Sequence, residues 1–214
     1  LFVKDVVSSI NWSPNGEYIV AGTDSGEVFL YTFNPFTRVA ASKTIFAEKG
    51  CGILQIKFSP IILQNYFAVT GTEPCTQVQI MTQVGRELKN FGIIDTAFTG
   101  EIYRMDWSAD SVYLRLNSSN GELGFANVGT LSIIEPENST NIVWNEQSCP
   151  LALDSYGIFP VVPGLDVDCV ARTSHKEVIA TGDDFQQVKI FRFPANVEKC
   201  GCKTYLGHSS PITE

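Results

Sequence analysis

Few residues in this 214-residue chain are of a type that does covalent chemistry, and their spacing speaks against it. There are two histidines. His175 sits in the polar turn Thr173-Ser174-His175-Lys176 and reads as solvated, and His208 follows Gly207 near the end. Neither completes a nucleophile–base–acid set, so general acid–base or Ser-His-Asp catalysis has no support. No Gly-x-Ser-x-Gly, P-loop, His-Glu-x-x-His or Gly-x-Gly-x-x-Gly motif is present. Asp183-Asp184 is an acidic pair with no third ligand at hand, and Cys200-Gly201-Cys202 is C-x-C with no second pair and no histidine cluster. Gly22-Thr23-Asp24-Ser25-Gly26 reads as a hairpin turn and not a phosphate cradle, because no helix follows it. The expectation is a chain with no catalytic, cofactor-binding or metal-ligating residues and no small-molecule substrate.

The residues that do recur are structural. A unit of strand, polar turn, strand ending in small residues, turn and apolar strand appears four times. It begins at Ser9-Ile10-Asn11-Trp12-Ser13-Pro14, at Gln55-Ile56-Lys57-Phe58-Ser59-Pro60, at Arg104-Met105-Asp106-Trp107-Ser108-Ala109 and at Cys169-Val170-Ala171-Arg172-Thr173-Ser174. The second strands are Tyr18–Gly22, Phe67–Gly71, Val112–Leu114 and Val178–Gly182. The third are Val28–Tyr31, Val78–Ile80, Leu123–Phe125 and Val188–Phe191. A repeat of this size made only of strands is the signature of a β-propeller blade. Val28–Phe33 is apolar or aromatic on both faces, as strands packed between neighbouring blades must be. Helix signals are poor, and glycine, proline, asparagine and serine punctuate at strand spacing.

Trp12, Phe58, Trp107 and Arg172 are separated by 46, 49 and 65 positions. The first two gaps suit a four-stranded blade, and the third is too long for a bare one. The fold class expected is all-β, a partial propeller of four four-stranded antiparallel blades at about 5–46, 50–95, 99–136 and 165–206, with an insertion at 141–165. Gly207-His208-Ser209-Ser210 reads as the start of a next blade. The first residues carry no apolar core or cleavage site of a signal peptide, so the chain is expected to be an internal part of a larger protein. Alone it should be unstable or aggregating, because end blades expose edges.

Net charge is −8, with 18% charged residues, and no run of about eighteen apolar residues exists. An acidic balance argues against nucleic acid as a partner, since phosphate contacts need Lys and Arg, and against an anionic membrane surface. Six irregularly spaced cysteines in a chain large enough to bury a core favour a reduced, cytosolic setting. Cys149 and Cys169 read as small core hydrophobes. Asn11-Trp12-Ser13 and Asn138-Ser139-Thr140 fit the glycosylation pattern only weakly.

The units resemble WD40 repeats: Gly207-His208 and the turn positions Asp24 and Asp184 fit, while the Trp-Asp dipeptide itself is replaced by Tyr31-Thr32-Phe33 and Phe191-Arg192-Phe193. The latter half is similar to a narrower family. Asp106–Ser111 with Tyr113-Leu114, Asn141–Trp144, Cys149, Leu151, Gly157–Pro160, Ala180–Phe185, Val188–Phe191, Pro194 and Gly207–Ser210 resemble, in order and spacing, the C-terminal propeller of the echinoderm microtubule-associated protein-like (EML) family. Residues 1–99 share the general repeat pattern. The sequence differs from that family at Asn117–Gly121 and at Gln186-Gln187, where a Gly is common. The resemblance implies a cytoskeletal protein contacting tubulin or microtubules, in the cytoplasm and in some members in the ciliary axoneme.

Within that frame Trp12 and Trp107 are expected in blade-to-blade packing, Asp24, Asp183 and Asp184 as carboxylates that pin turns through backbone N–H groups, and His208 in a hydrogen bond within its blade. Trp144, in the insertion, reads first as core packing, and among the three tryptophans it is the candidate for partner binding because it sits in a loop. Three functions follow: a microtubule-associated scaffold, a general WD40 adaptor without tubulin contact, and a propeller enzyme. The last needs carboxylates or histidines converging from the first strands, and Ser9, Gln55, Arg104 and Asp168 are not such a set.

Overall fold

The computed structural model describes residues 5–61, 65–159 and 167–213. Sixteen strands among them form four antiparallel sheets, each of four consecutive strands in sequence order. The first sheet holds β1 (Val7–Trp12), β2 (Tyr18–Thr23), β3 (Glu27–Thr32) and β4 (Thr37–Lys43). The second holds β5 (Ile53–Phe58), β6 (Tyr66–Gly71), β7 (Gln77–Val84) and β8 (Glu87–Asp95). The third holds β9 (Ile102–Trp107), β10 (Tyr113–Ser118), β11 (Leu123–Asn127) and β12 (Ser132–Ile134). The fourth holds β13 (Val167–Arg172), β14 (Val178–Asp183), β15 (Gln187–Arg192) and β16 (Cys202–Leu206). The one α-helix among the described residues, α1 (Ile45–Glu48), is a single turn capped by the Thr44 hydroxyl on the Phe46 N–H.

Two compact units emerge, residues 1–119 with 124–145, and residues 120–123 with 146–214. In the first, the sheets stack face to face. Val20, Leu30, Ile53, Ile56 and Phe67 interlock between the first and second sheets, and Ile80, Ile94, Ile102, Met105 and Leu116 between the second and third. Third strands buried on both sides follow: Val28, Phe29, Leu30 and Tyr31 are all buried. Close stacking also explains the small residues that end the second strands. A Cβ on Gly22 would lie 2.6 Å from Ile53 Cγ2, and one on Gly71 would lie 2.6 Å from Phe46 Cδ1.

In the second unit Ile158, Phe159, Val167, Val170, Ile179, Phe191 and Ala195 make a separate core. A Cβ on Gly182 would lie 2.5 Å from Ile212 Cγ2, so Ile212 occupies the place on the fourth sheet that Ile53 takes on the first. The expected insertion divides. Residues 141–145 run beside the end of β9, with a bridge between Ser108 and Trp144. Residues 146–159 pack into the second unit, where the Gly157 N–H donates to Ala195 O at 2.6 Å and the Ala195 N–H to Asp154 O at 2.9 Å. Pro160, Pro163 and Gly164 lie outside the described residues.

Each first strand carries a bulge at the same place. The ladder skips Ser8 in β1, Leu54 in β5, Tyr103 in β9 and Asp168 in β13. A bulge at a sheet edge adds local twist and re-aims the side chains around it.

Candidate functional site

Within the first unit β1, β5 and β9 lie side by side. Their free edges would leave backbone donors unsatisfied, and side chains of the neighbouring first strand take them up. The Ile56 N–H donates to Ser9 Oγ at 3.0 Å and the Phe58 N–H to Asn11 Oδ1 at 2.9 Å. The Met105 N–H donates to Gln55 Oε1 at 2.9 Å. Ser9 and Gln55, which failed as a converging catalytic set, thus tie one sheet to the next.

The same strands build the most charged interior site. Asp106 on β9 lies opposite Arg115 on β10. Arg115 Nη2 donates to Asp106 Oδ2 at 2.8 Å, and Lys57 Nζ, from β5, donates to Oδ1 at 3.1 Å. Asp106 is fully buried, Arg115 nearly so, and Lys57 is 7% exposed. Burying these charges is costly, and mutual pairing offsets that cost. Trp107, 1% exposed, donates its Nε1–H to Lys57 O at 3.1 Å. The Arg115 guanidinium lies 4.7 Å from the centre of the Trp144 ring, which itself packs on Phe125 at 5.8 Å. The arrangement holds sheets in register, and its side chains are locked by one another.

Trp144 therefore sits differently from a displayed aromatic. It is 7% exposed, because the bridge to Ser108 and the Asn145 N–H to Trp107 O bond draw its segment onto β9. Its ring is occupied by Arg115 and Phe125, which leaves little of it for a partner. Trp12 is the reverse case. It is 47% exposed, edge-on to Phe33 at 5.0 Å. In the fourth sheet the equivalent pair is Arg172 over Phe193, again at 5.0 Å.

Of the three carboxylates expected to pin turns, Asp183 does so, and Asp24 and Asp184 do not. Asp24 and Asp184 are exposed, and neither side chain makes a hydrogen bond among the described residues. The preceding residue does the pinning. Thr23 Oγ1 accepts the Glu27 N–H at 3.1 Å. Asp183 Oδ1 accepts the Phe185 and Gln187 N–H groups at 3.0 and 2.9 Å, and its Oδ2 takes Lys189 Nζ at 2.6 Å. Side chains alternate along a strand, so the last strand residue points inward over the turn while the next points to solvent. Asp5 also serves the first turn: its carboxylate accepts the Ser25 N–H at 3.0 Å, and bonds from Ser25 and Val6 hold it below the usual carboxylate range. His208 is exposed and makes no hydrogen bond among the described residues.

In three of the four sheets the first hairpin is pinned by a hydroxyl residue that the repeat places after Trp12, Trp107 or Arg172. The Tyr18 N–H reaches Ser13 Oγ at 2.9 Å, the Tyr113 N–H reaches Ser108 Oγ at 2.8 Å, and the Val178 N–H reaches Thr173 Oγ1 at 3.2 Å. In the second sheet Ser59 Oγ instead donates to Ser111 Oγ at 2.6 Å.

The six cysteines are free thiols. Cys149 is buried, as expected, and Cys169 is half-buried. Cys51 and Cys75 lie with their Sγ atoms 2.6 Å apart, and burial, with the neighbouring Cys51, pushes the Cys75 thiol up to about 12. Cys200 donates to Val197 O at 2.9 Å and Cys202 is exposed on β16. Among the described residues no three His, Cys, Asp or Glu side chains converge as metal ligands, and no helix is long and apolar enough to cross a membrane.

Comparison with known proteins extends the resemblance to the whole chain. Residues 1–214 match the profile of the echinoderm microtubule-associated protein second β-propeller. The 77 kDa echinoderm microtubule-associated protein of Strongylocentrotus purpuratus is 31% identical over 99% of this chain and 30% of its own length. Its counterpart in Lytechinus variegatus is 29% identical over 99% of this chain and 31% of its own. Human echinoderm microtubule-associated protein-like 4 is 25% identical over 95% of this chain and 20% of its own. The chain thus spans less than a third of the length of these relatives. In fold it is similar to a chain of the solved mitotic checkpoint complex, with a TM-score of 0.71 at 12% identity, covering all of this chain and 68% of that one. The fold is an all-β, partial WD40 β-propeller, and the chain belongs to the echinoderm microtubule-associated protein family, whose second propeller it matches from end to end.

Proposed function

We propose that this chain is part of a non-enzymatic WD40 scaffold that displays rigid propeller surfaces to tubulin or microtubules, on the cytoskeleton and in the ciliary axoneme. The observation that carries the reading is the match to the family's second propeller along all 214 residues, among relatives named as microtubule-associated. The interior supports a display role. Side-chain bonds from Ser9, Asn11 and Gln55 and the Lys57–Asp106–Arg115 cluster hold the first three sheets in register, so docking costs little ordering entropy. The seating of Ile212 on Gly182 supports a next blade beginning at residue 207, so the working unit is a larger propeller. In this reading neither nucleic acid, membrane nor a small-molecule substrate is a partner, and no cofactor is used.

Microtubule co-sedimentation of the intact protein, over a salt series, tests it. With net charge −8 the chain offers few cations, so the contact is made by shape and pelleting survives moderate salt. A folded protein that neither pellets nor binds free tubulin would leave a WD40 adaptor with another partner.

A further inference from the structure

From the contact between two thiols that the first unit buries together, we infer a modification site: Cys51 and Cys75 form a reversible disulfide when the protein meets hydrogen peroxide. The two residues lie 24 positions apart, and the Cys75 S–H donates to Cys51 Sγ at 2.6 Å. Each is 2% exposed. The backbone around them is held from both sides. The Gly52 N–H donates to Thr72 Oγ1 at 3.0 Å and the Thr72 N–H to Gly52 O at 2.9 Å. The Cys51 N–H donates to Phe46 O at 2.8 Å and the Cys75 N–H to Thr72 O at 3.0 Å. A buried cysteine by itself reads as a small hydrophobe. Two that are locked against each other are placed to react, because the cost of bringing the sulfurs together is already met by the fold.

The contact also assigns the two roles. Burial, with the Cys51 sulfur beside it, keeps the Cys75 thiol protonated, and Cys51 Sγ accepts that proton's hydrogen bond. A sulfur that accepts a hydrogen bond is eased towards the thiolate that attacks. Cys51 Sγ attacks one peroxide oxygen, the O–O bond breaks, and Cys51 becomes a sulfenic acid as the first water leaves. Cys75 Sγ then attacks Cys51 Sγ and the S–O bond breaks. The Cys75 proton goes to the departing hydroxide, which leaves as the second water. Two thiols lose two electrons, and one peroxide is reduced to two waters. The small size of hydrogen peroxide suits a pair this buried. The bond has a defined reach, because Cys51 precedes β5 and Cys75 precedes β7. A Cβ on Gly26, in the first sheet's turn, would stand 2.7 Å from Cys51 O. The Glu73 N–H, two residues before Cys75, donates to Glu101 Oε2 beside β9 at 2.7 Å. The disulfide therefore ties a segment that touches the first sheet to a turn that touches the third.

The test is peptide mass spectrometry on the intact protein, treated with hydrogen peroxide in native buffer, quenched, denatured, alkylated and digested. Wild type yields two peptides joined through Cys51 and Cys75, and dithiothreitol separates them. The exposed Cys202 reports the dose. The inference is overturned if Cys51 and Cys75 are both still alkylated once Cys202 is fully oxidised. It is equally overturned if either joins a different cysteine, if either reaches the sulfinic acid without joining, or if the joined peptides form only in urea. The urea midpoint of oxidised wild type lies above that of the reduced protein, because the cross-link restricts the unfolded chain, and Cys75→Ala shows no such rise. A bond that forms and leaves the midpoint unmoved would overturn the tie between sheets. The wild-type peptides decide the site whether or not the variant folds, and microtubule pelleting has no part in the readout.

Discussion

Asp106 has no access to water, and each of its oxygens carries a cation drawn from a different strand. Removing the acid leaves Lys57 and Arg115 buried against each other. Asp106→Ala should therefore cost about 3–5 kcal/mol, read as a shifted urea midpoint of the intact protein. Trp144 covers the other face of Arg115, so Trp144→Phe should cost only about 0.5–2 kcal/mol, while Trp144→Ala should cost about 3–5. A Trp144→Phe loss of partner binding at unchanged stability would show that the ring works outward instead. The Cys75 thiol titrates with a sign that can be worked out. Its folded value is raised to about 12, so the folded state holds the proton more tightly than the unfolded chain. This contribution is complete below the unfolded thiol range near pH 8.5 and is lost as pH climbs towards 12. Stability should fall between about pH 9 and 10.5 in wild type and fall less in Cys75→Ala, by urea denaturation across that range.

At the scale of elements, the hairpin after each second strand shows how one position tolerates different chemistry. Gly26 and Gly121 take φ of 78° and 74° there, and Gln186 takes 66° at the equivalent place. A side chain in that region is strained, and glycine is not. Gln186→Gly should therefore raise stability by up to about 1 kcal/mol, the relief of strain being partly cancelled by a freer unfolded chain. The reverse change is not open to the first sheet. A Cβ on Gly26 would stand 2.5 Å from the backbone nitrogen of Ala47, so Gly26→Ala should lower the melting temperature. The turn pins follow the same logic, with Thr23 and Asp183 in equivalent places using a hydroxyl and a carboxylate for one backbone bond.

For the whole molecule, the exposed face of β1 matters most. Val6 and Ile10 are each 64% exposed, and Trp12 and Phe33 are about half exposed. An apolar surface of this kind on a first strand, in a chain spanning under a third of its relatives, is expected to be covered by more of the propeller. The 214-residue chain expressed alone should bind a hydrophobic dye and self-associate in size-exclusion chromatography, and the intact protein should do neither. A cooperative, monomeric melt of the isolated chain would contradict this.

The four strand units and their turns could be read from sequence because each is local. Alternation and turn residues restrict the backbone within a few positions. The family could be read because the order and spacing of Asp106–Ser111 and Ala180–Phe185 resemble it, and the match to its second propeller covers residues 1–214. Of the expected pins Asp183 holds its turn, while Asp24 and Asp184 point to solvent, since alternation decides which side chain points inward and motif likeness does not. Ser9, Asn11 and Gln55 carried no signal as acceptors, because their donors lie on the next sheet, 47 to 50 positions away. The pairing of Lys57 with Asp106 was decided only by the stacking of sheets, and the Cys51–Cys75 contact only by the folding of the second sheet. Local chemistry sets what each strand is, but a side chain's environment is set by the strand that packs against it.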